Sequence, residues 1–321
     1  MKAFHIVDGP NGTTGTTLEA RDVPTLEPGP QQVLLQVKAS SLNRGELLPT
    51  GKPGARPGGV EAVGEVSAVG KDVKGISTGT RVMARCKGGF AEYALVEASE
   101  AIVIPERLDW EAAAAIPIVF LVSYDMLVPY GRLQRGEWVL VTAVSSGVGV
   151  ACLQLAKAMG ARVIGGSGSE SKLEKLRALG LDAGIATRGD LAGEVRRITE
   201  KHGADLAINN VGGSAFPDLV RAAAYRGRIA IVGYVDGTLH ADLDLAAVHS
   251  SRLEIFGVSN RLRSAAERAE TVVGFKRDCL AWFADGTIKP LVDRVFSFDA
   301  MPEAKAYFDR NAHVGKVVVR L

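Results

Sequence analysis

The sequence predicts an α/β protein in which a doubly wound parallel sheet is inserted between two parts of a β-rich domain. Three observations carry this. Residues 137–263 alternate short apolar runs with helical segments, residues 1–121 hold β-type runs between Gly/Pro turns, and residues 264–321 return to β-type runs after one long helix. Strand–helix alternation builds parallel β-α-β units with helices on both faces. The expected domains are therefore 1–121 with 264–321, and 122–263.

In the first part, "VLLQVKAS" (33–40), "EAVGEVSAVG" (61–70), "TRVMAR" (80–85) and "GGFAEYALV" (88–96) mix alternation with valine and small residues. Turn-rich stretches such as "TGKPGARPGG" (50–59) separate them. In the middle part, "WVLVTA", "RVIGGS", "DLAINNVG" and "RIAIVG" read as buried strands. "ESKLEKLRALG", "DLAGEVRRITEKHG" and "AFPDLVRAAAYRG" read as helices, and Gly160, Gly180 and Gly203 stand where helices should stop. The last part holds one long helix from 264 to 286, then "LVDRVFSF", a helix near "MPEAKAYFDRN", and a closing "GKVVVRL".

The chain has 321 residues, with 38 basic and 36 acidic side chains and a net charge of +2. No global field favours nucleic acid or an anionic membrane, so neither partner is expected. Three cysteines without a C-x-x-C pair exclude a disulfide framework or a four-cysteine zinc site. The longest uncharged apolar run, "AAAAIPIVFLV" (112–122), is too short to span a bilayer, and no signal peptide opens the sequence. A cytoplasmic protein is expected. The five histidines lack ligand spacing, no tyrosine begins a Tyr-x-x-x-Lys pair, and no G-x-S-x-G elbow occurs.

The stretch "VTAVSSGVGVACLQLAK" (141–157) carries the strongest functional signal. A strand runs into small residues, then into a helical stripe of Val148, Ala151, Cys152, Leu155 and Met159. A helix start leaves backbone N–H groups unpaired and carries partial positive charge, which suits a diphosphate. At the positions of a G-x-G-x-x-G dinucleotide fingerprint stand Val144, Ser146 and Gly149, so one glycine of three remains. Two readings stand on the motif alone: an ordinary tight turn, or a Rossmann-type diphosphate turn at Ser146, Gly147 and Val148. The surrounding β-α-β unit favours the second. An NAD-preferring fold presents an acid at the end of the next strand; here "RVIGGSGSESK" offers Gly166 and Ser167, and the first acid is Glu170. Ser169, Lys172 and Arg188 suit a 2′-phosphate instead, although Lys172 reads equally well as a solvated helix residue. NADPH is the expected cofactor.

Taken together and in order, "SLNRGE" (41–46), "PGGVEAVGEVSAVG" (57–70), "GGFAEYALV", "AAAAIPIVFLVSYDML" (112–127), the 141–172 stretch, "NNVGG" (209–213), "GRIAIVG" (227–233) and "HVGKVVVRL" resemble the medium-chain dehydrogenase/reductase superfamily. The similarity is to its zinc-free, quinone oxidoreductase-like branch. It implies a Rossmann domain inserted in a GroES-like catalytic domain. Zinc members carry a Cys at the position of Asn43 and a G-H-E triplet where this chain has Gly59-Val60-Glu61. No metal is therefore expected. The resemblance implies hydride transfer from NADPH to a small-molecule quinone or α,β-unsaturated carbonyl, with an enoyl-thioester reductase, or an NADPH-binding protein of little turnover, as alternatives. It places Asn43 near the nicotinamide, where it would either hydrogen-bond a substrate carbonyl or only cap local backbone. Gly212, Gly233 and Val258 would line the nicotinamide half, and Val122 and Asn311 complete the cofactor-lining set. No tyrosine follows Asn43 in the loop, and Val122 stands where relatives carry threonine. No side-chain acid is evident, so solvent is expected to protonate the product. Finally, "SRLEIFGVS" (251–259) reads as the last strand of the sheet; an exposed edge there predicts a homodimer.

Overall fold

The computed structural model describes residues 1–10, 12, 15–186 and 189–321. The chain divides into two units, Met1–Val119 with Ala265–Leu321, and Phe120–Ser264. The first boundary falls inside the helix Pro117–Leu127.

The second unit is built on a six-stranded sheet in which every pairing is parallel. Its strands are Trp138–Val141, Arg162–Ser167, Ala183–Ala186, Ala204–Asn209, Ala223–Ile231 and Glu254–Gly257. Counted within the sheet they lie in the order 3-2-1-4-5-6, the doubly wound arrangement. Central strands of such a sheet are covered on both faces, so their apolar runs are continuous rather than alternating. Val139, Leu140 and Val141 are all fully buried. One face packs Leu140, Ile164, Ala207 and Ile229 against the helices Leu191–Ile198 and Phe216–Ala222. The helix Gly147–Ala158 packs on the first two strands. It is buried without a break from Gly149 to Ala156, not along one stripe, which is why its sequence is apolar nearly all round. Gly160 and Gly180 end the helices before them at φ +83° and +90°, a conformation that costs an L side chain about 1–2 kcal/mol.

One expected helix is cut short. "AFPDLVRAAAYRG" is helical only over Phe216–Ala222, and the strand Ala223–Ile231 starts at once. Three alanines favour helix locally, but Ala223 pairs with Ala204 in the sheet, and that tertiary pairing prevails.

In the first unit, a seven-stranded sheet runs Val292–Ser297, Lys316–Arg320, Gln32–Ser41, Glu61–Val69, Arg81–Arg85, Ile102–Val103, with Tyr93–Glu97 also paired to Gln32–Ser41. A smaller sheet joins Thr16–Asp22, Lys2–Asp8 and Ala55–Pro57. One antiparallel pairing sets Val318 opposite Ser41 and Arg320 opposite Ala39. It carries Lys316, at the start of the last strand, to the end of Gln32–Ser41 and so to Asn43. The loop before Ala55–Pro57 is tied down: Asp8 accepts from Thr50 Oγ1 at 2.7 Å and Arg56 Nη1 at 2.8 Å. The Thr50 hydroxyl and the Arg56 guanidinium hold the Asp8 carboxyl below its usual range. Among the described residues no helix is long and apolar enough to cross a membrane.

Candidate functional site

Two arrangements stand out, one in each unit. In the parallel sheet, Ser146, Gly147 and Val148 follow the first strand; Ser167, Ser169 and Lys172 end or follow the second; Gly212 follows the fourth; Gly233 the fifth; Val258 the sixth. All nine lie at the carboxyl ends of parallel strands, where open α/β sheets bind ligands. The crevice belongs at the switch point, between the first strand and its neighbours the second and fourth.

The turn itself is tightly built. Ala143 takes φ +47°, Val144 N–H donates to Gly166 O at 3.1 Å, and Ser146 N–H donates to Ala143 O at 2.9 Å. Ser146 caps the helix, its Oγ accepting from Gly149 N–H at 3.1 Å. A Cβ on Gly149 would lie 2.5 Å from Ala143 O and 2.6 Å from Val144 O and Cα, so only glycine lets the helix start so close to the turn. The N–H groups of Gly147 and Val148 receive no acceptor among the described residues. They are the two donors that a diphosphate would take up.

Beside the turn, Asn210 N–H donates to Thr142 Oγ1 at 2.9 Å and Asn210 Nδ2 to Thr142 O at 2.8 Å, locking the fourth strand's end to the first's. Asn209 Oδ1 accepts from Gly212 N–H at 2.9 Å. Gly212 sits at φ +124°, and a Cβ there would meet Asp236 Oδ1 at 2.2 Å. That backbone conformation strains an L side chain, so glycine suits the position whatever lies in front of it. At the second strand's end, Ser167 Oγ accepts from Ser169 N–H at 3.2 Å, and the Ser169 and Ser171 hydroxyls are 2.9 Å apart. Glu170 is drawn to Arg177 Nη2 at 3.1 Å, along its own helix. Val122 is half-buried in Pro117–Leu127. Arg188 lies outside the described residues.

The second arrangement surrounds Asn43. Glu61, fully buried, accepts on Oε1 from Ser41 Oγ, from Asn43 Nδ2 at 2.7 Å and from Lys316 Nζ at 3.0 Å, and on Oε2 from Ile118 N–H at 2.8 Å. Lys316, 3% exposed, donates its other two hydrogens to Asn43 Oδ1 at 2.7 Å and Leu42 O at 3.0 Å. The second Asn43 Nδ2 hydrogen goes to Ser41 O at 3.3 Å. Both amide hydrogens of Asn43 are thus spent inside the protein, and of the two readings the sequence left open, a hydrogen bond to a substrate or a cap on local backbone, the second is present as a capping box with Glu46. Asn311 is exposed at φ +53° after the helix Met301–Asp309, and its Oδ1 accepts from Arg44 Nη2.

Glu46 completes this cluster. Its two carboxyl oxygens accept from Asn43 N–H and Gly59 N–H, each at 3.0 Å. Burial, then the negative charge of Glu61, push its pKa up to about 8. Between its ordinary value near 4.5 and about 8, the folded protein keeps a proton that the unfolded chain has released. Stability from this group is therefore full below about pH 4.5 and is lost as pH rises toward 8. Denaturant midpoints of the unmodified protein should fall across that window, and in Glu46→Gln the fall should be shallower; equal slopes would refute the assignment.

The sequence pointed to the turn and to Asn43 but not to Lys316 or the roles of Glu61 and Glu46. A signal was present: Glu61 and Lys316 each open a valine-rich strand, and a charge so placed must be paired if buried.

Comparison with known proteins bears on both arrangements. Residues 29–106 match the alcohol dehydrogenase GroES-like domain and residues 147–273 match the zinc-binding dehydrogenase family. A structure of an NAD-dependent alcohol dehydrogenase is 30% identical over all of both chains, with a TM-score of 0.84. A mycobacterial protein solved with NADPH is 24% identical over all of both chains, with a TM-score of 0.89, a likeness in fold. A phenolphthiocerol/phthiocerol polyketide synthase of Mycobacterium tuberculosis is 31% identical over 312 residues; these make up 95% of this chain and 14% of that synthase polypeptide. The chain thus spans about a seventh of the polyketide synthase it matches. Zinc, which one family description implies, does not fit the residues here. The oxygens of Asn43 and Glu61 already accept from a resident ammonium, and no three His, Cys, Asp or Glu side chains converge among the described residues.

Proposed function

The chain belongs to the medium-chain dehydrogenase/reductase superfamily, and from that premise we propose that this oxidoreductase passes hydride from NADPH, without zinc, to a quinone or an α,β-unsaturated carbonyl. The observation that carries the proposal is the pair of unspent N–H groups on Gly147 and Val148, opening a helix at the carboxyl end of the sheet's first strand. NADPH bound there would supply the hydride; the protein's work is to hold and orient.

In this reading Ser146, Gly147 and Val148 hold the diphosphate. Ser167, Ser169 and Lys172 receive the 2′-phosphate, and Glu170, held by Arg177, leaves the strand end without an opposing carboxylate. That favours NADPH even though a 30% identical relative is NAD-dependent. Gly212, Gly233, Val258 and Val122 border the nicotinamide half in this reading. A conjugated acceptor delocalises the charge left by hydride, so it needs no Lewis acid, and solvent returns the proton.

Enoyl-thioester reduction is the second reading, favoured by the 31% identity to a polyketide synthase. A basic groove at Lys52 and Arg56 would serve a carrier phosphate. Arg56, however, spends its guanidinium on Asp8, Glu46 O at 2.9 Å and Leu48 O at 2.8 Å. NADPH oxidation against quinones, alkenals, enones and enoyl-CoAs separates the readings. Turnover with quinones or enones supports the first, enoyl-CoA alone the second, and none of them a binding protein of little turnover. The edge position of Glu254–Gly257 supports a homodimer, and light scattering should then give twice the 33.8 kDa chain mass.

A further inference from the structure

We propose that the Asn210 carboxamide holds a hydroxyl of the nicotinamide-side ribose, at the point where the order of the parallel sheet reverses. The proposal rests on the reading that a dinucleotide binds at the turn 146–148, and every residue it uses lies in the second unit.

Asn210 follows the fourth strand and Thr142 the first, and the order 3-2-1-4-5-6 reverses between these two. The residue is 5% exposed and held at both ends. Its backbone N–H donates to Thr142 Oγ1 at 2.9 Å. The end of its amide that lies 2.8 Å from Thr142 O must be nitrogen, because a backbone carbonyl can only accept. Oδ1 is therefore turned away from Thr142 O. Among the described residues no donor reaches Oδ1, no acceptor takes the second Nδ2 hydrogen, and Oδ1 is not sealed from solvent. A side chain so deeply buried that keeps both a donor and an acceptor unused calls for a partner. The two unused groups specify it. A phosphate oxygen can only accept, so it would serve the N–H and leave Oδ1 facing negative charge. A hydroxyl both donates and accepts, and it serves both. The unspent N–H groups of Gly147 and Val148 stand after the first strand, and the proposed 2′-phosphate site stands after the second. A dinucleotide laid from the second strand to the first continues over the fourth, which brings its nicotinamide-side ribose to Asn210.

The test is calorimetric titration with three ligands. Adenosine 2′,5′-bisphosphate lacks the second ribose, 2′-phospho-ADP-ribose has that ribose without the nicotinamide, and NADPH has both. Asn210→Ala should weaken NADPH and 2′-phospho-ADP-ribose by about tenfold each, the scale of one lost hydrogen bond, and leave the bisphosphate unchanged. Should Asn210→Ala fail to fold, Asn210→Ser, whose hydroxyl is too short to replace the amide, should show the same selective loss. Equal weakening of all three ligands would make Asn210 a brace between strands and overturn the ribose contact. A loss confined to NADPH would move the contact to the nicotinamide ring and overturn it too, as would no loss at all. Binding of none of the three by the unmodified protein overturns the cofactor reading, and this proposal with it.

Discussion

Replacing Gly149 with valine should abolish dinucleotide binding and destabilise the second unit by about 3 kcal/mol, the upper range for forced overpacking. The cause is local and rigid. A Cβ at 149 would sit 2.5 Å from Ala143 O and 2.6 Å from two atoms of Val144, all of them backbone. No flexible side chain can yield, so either the helix start moves away or the turn opens. Both displace Gly147 and Val148, whose N–H groups are the proposed diphosphate donors. NADPH affinity should fall at least a hundredfold, or about 2.7 kcal/mol. Gly54→Ala is the matched control, because a Cβ there meets nothing within 4 Å. Chemical denaturation and NADPH titration of the two variants check the pair. Wild-type affinity in Gly149→Val would remove the turn from the binding site.

Glu61→Ala should destabilise the first unit by about 3–5 kcal/mol, the cost of leaving a buried partner charge uncompensated. Lys316 is 4% exposed in its side chain and Glu61 0%, so neither water nor salt replaces the lost partner. The substitution also orphans Ile118 N–H and an Asn43 hydrogen. Against marginal total stability, a change of that size should remove most soluble protein at physiological temperature. Replacing both charges, Glu61→Gln with Lys316→Met, should cost much less, since no lone ion is left behind. Denaturant midpoints of the single and double variants give the comparison. A single variant as stable as the double would mean the two side chains do not interact as the distances indicate.

The legible parts of the molecule were those written in local pattern. The parallel sheet announced itself because its central strands are apolar on both faces and two of its helices stop at glycines, Gly160 and Gly180. The turn at Ser146 was legible as a strand-to-helix junction because an apolar strand, small residues and a helical stripe follow one another there. The strand at Ala223 was hidden because its alanines favour helix and only pairing with Ala204 decides otherwise. The Lys316–Glu61 pair was hidden for a different reason: 255 residues separate its members, and only the register of three strands brings them together. The polarity of Asn43 followed the same rule. An asparagine in a sequence offers a donor and an acceptor alike, and its neighbours in space decide which way each points.

The most direct test is equilibrium titration of the unmodified protein with NADPH and with NADH at one ionic strength. If backbone amides at Gly147 and Val148 grip a diphosphate and the strand end at Ser167 receives a 2′-phosphate, NADPH should bind at least tenfold tighter, about 1.4 kcal/mol. No response to either nucleotide, or tighter binding of NADH, would contradict it.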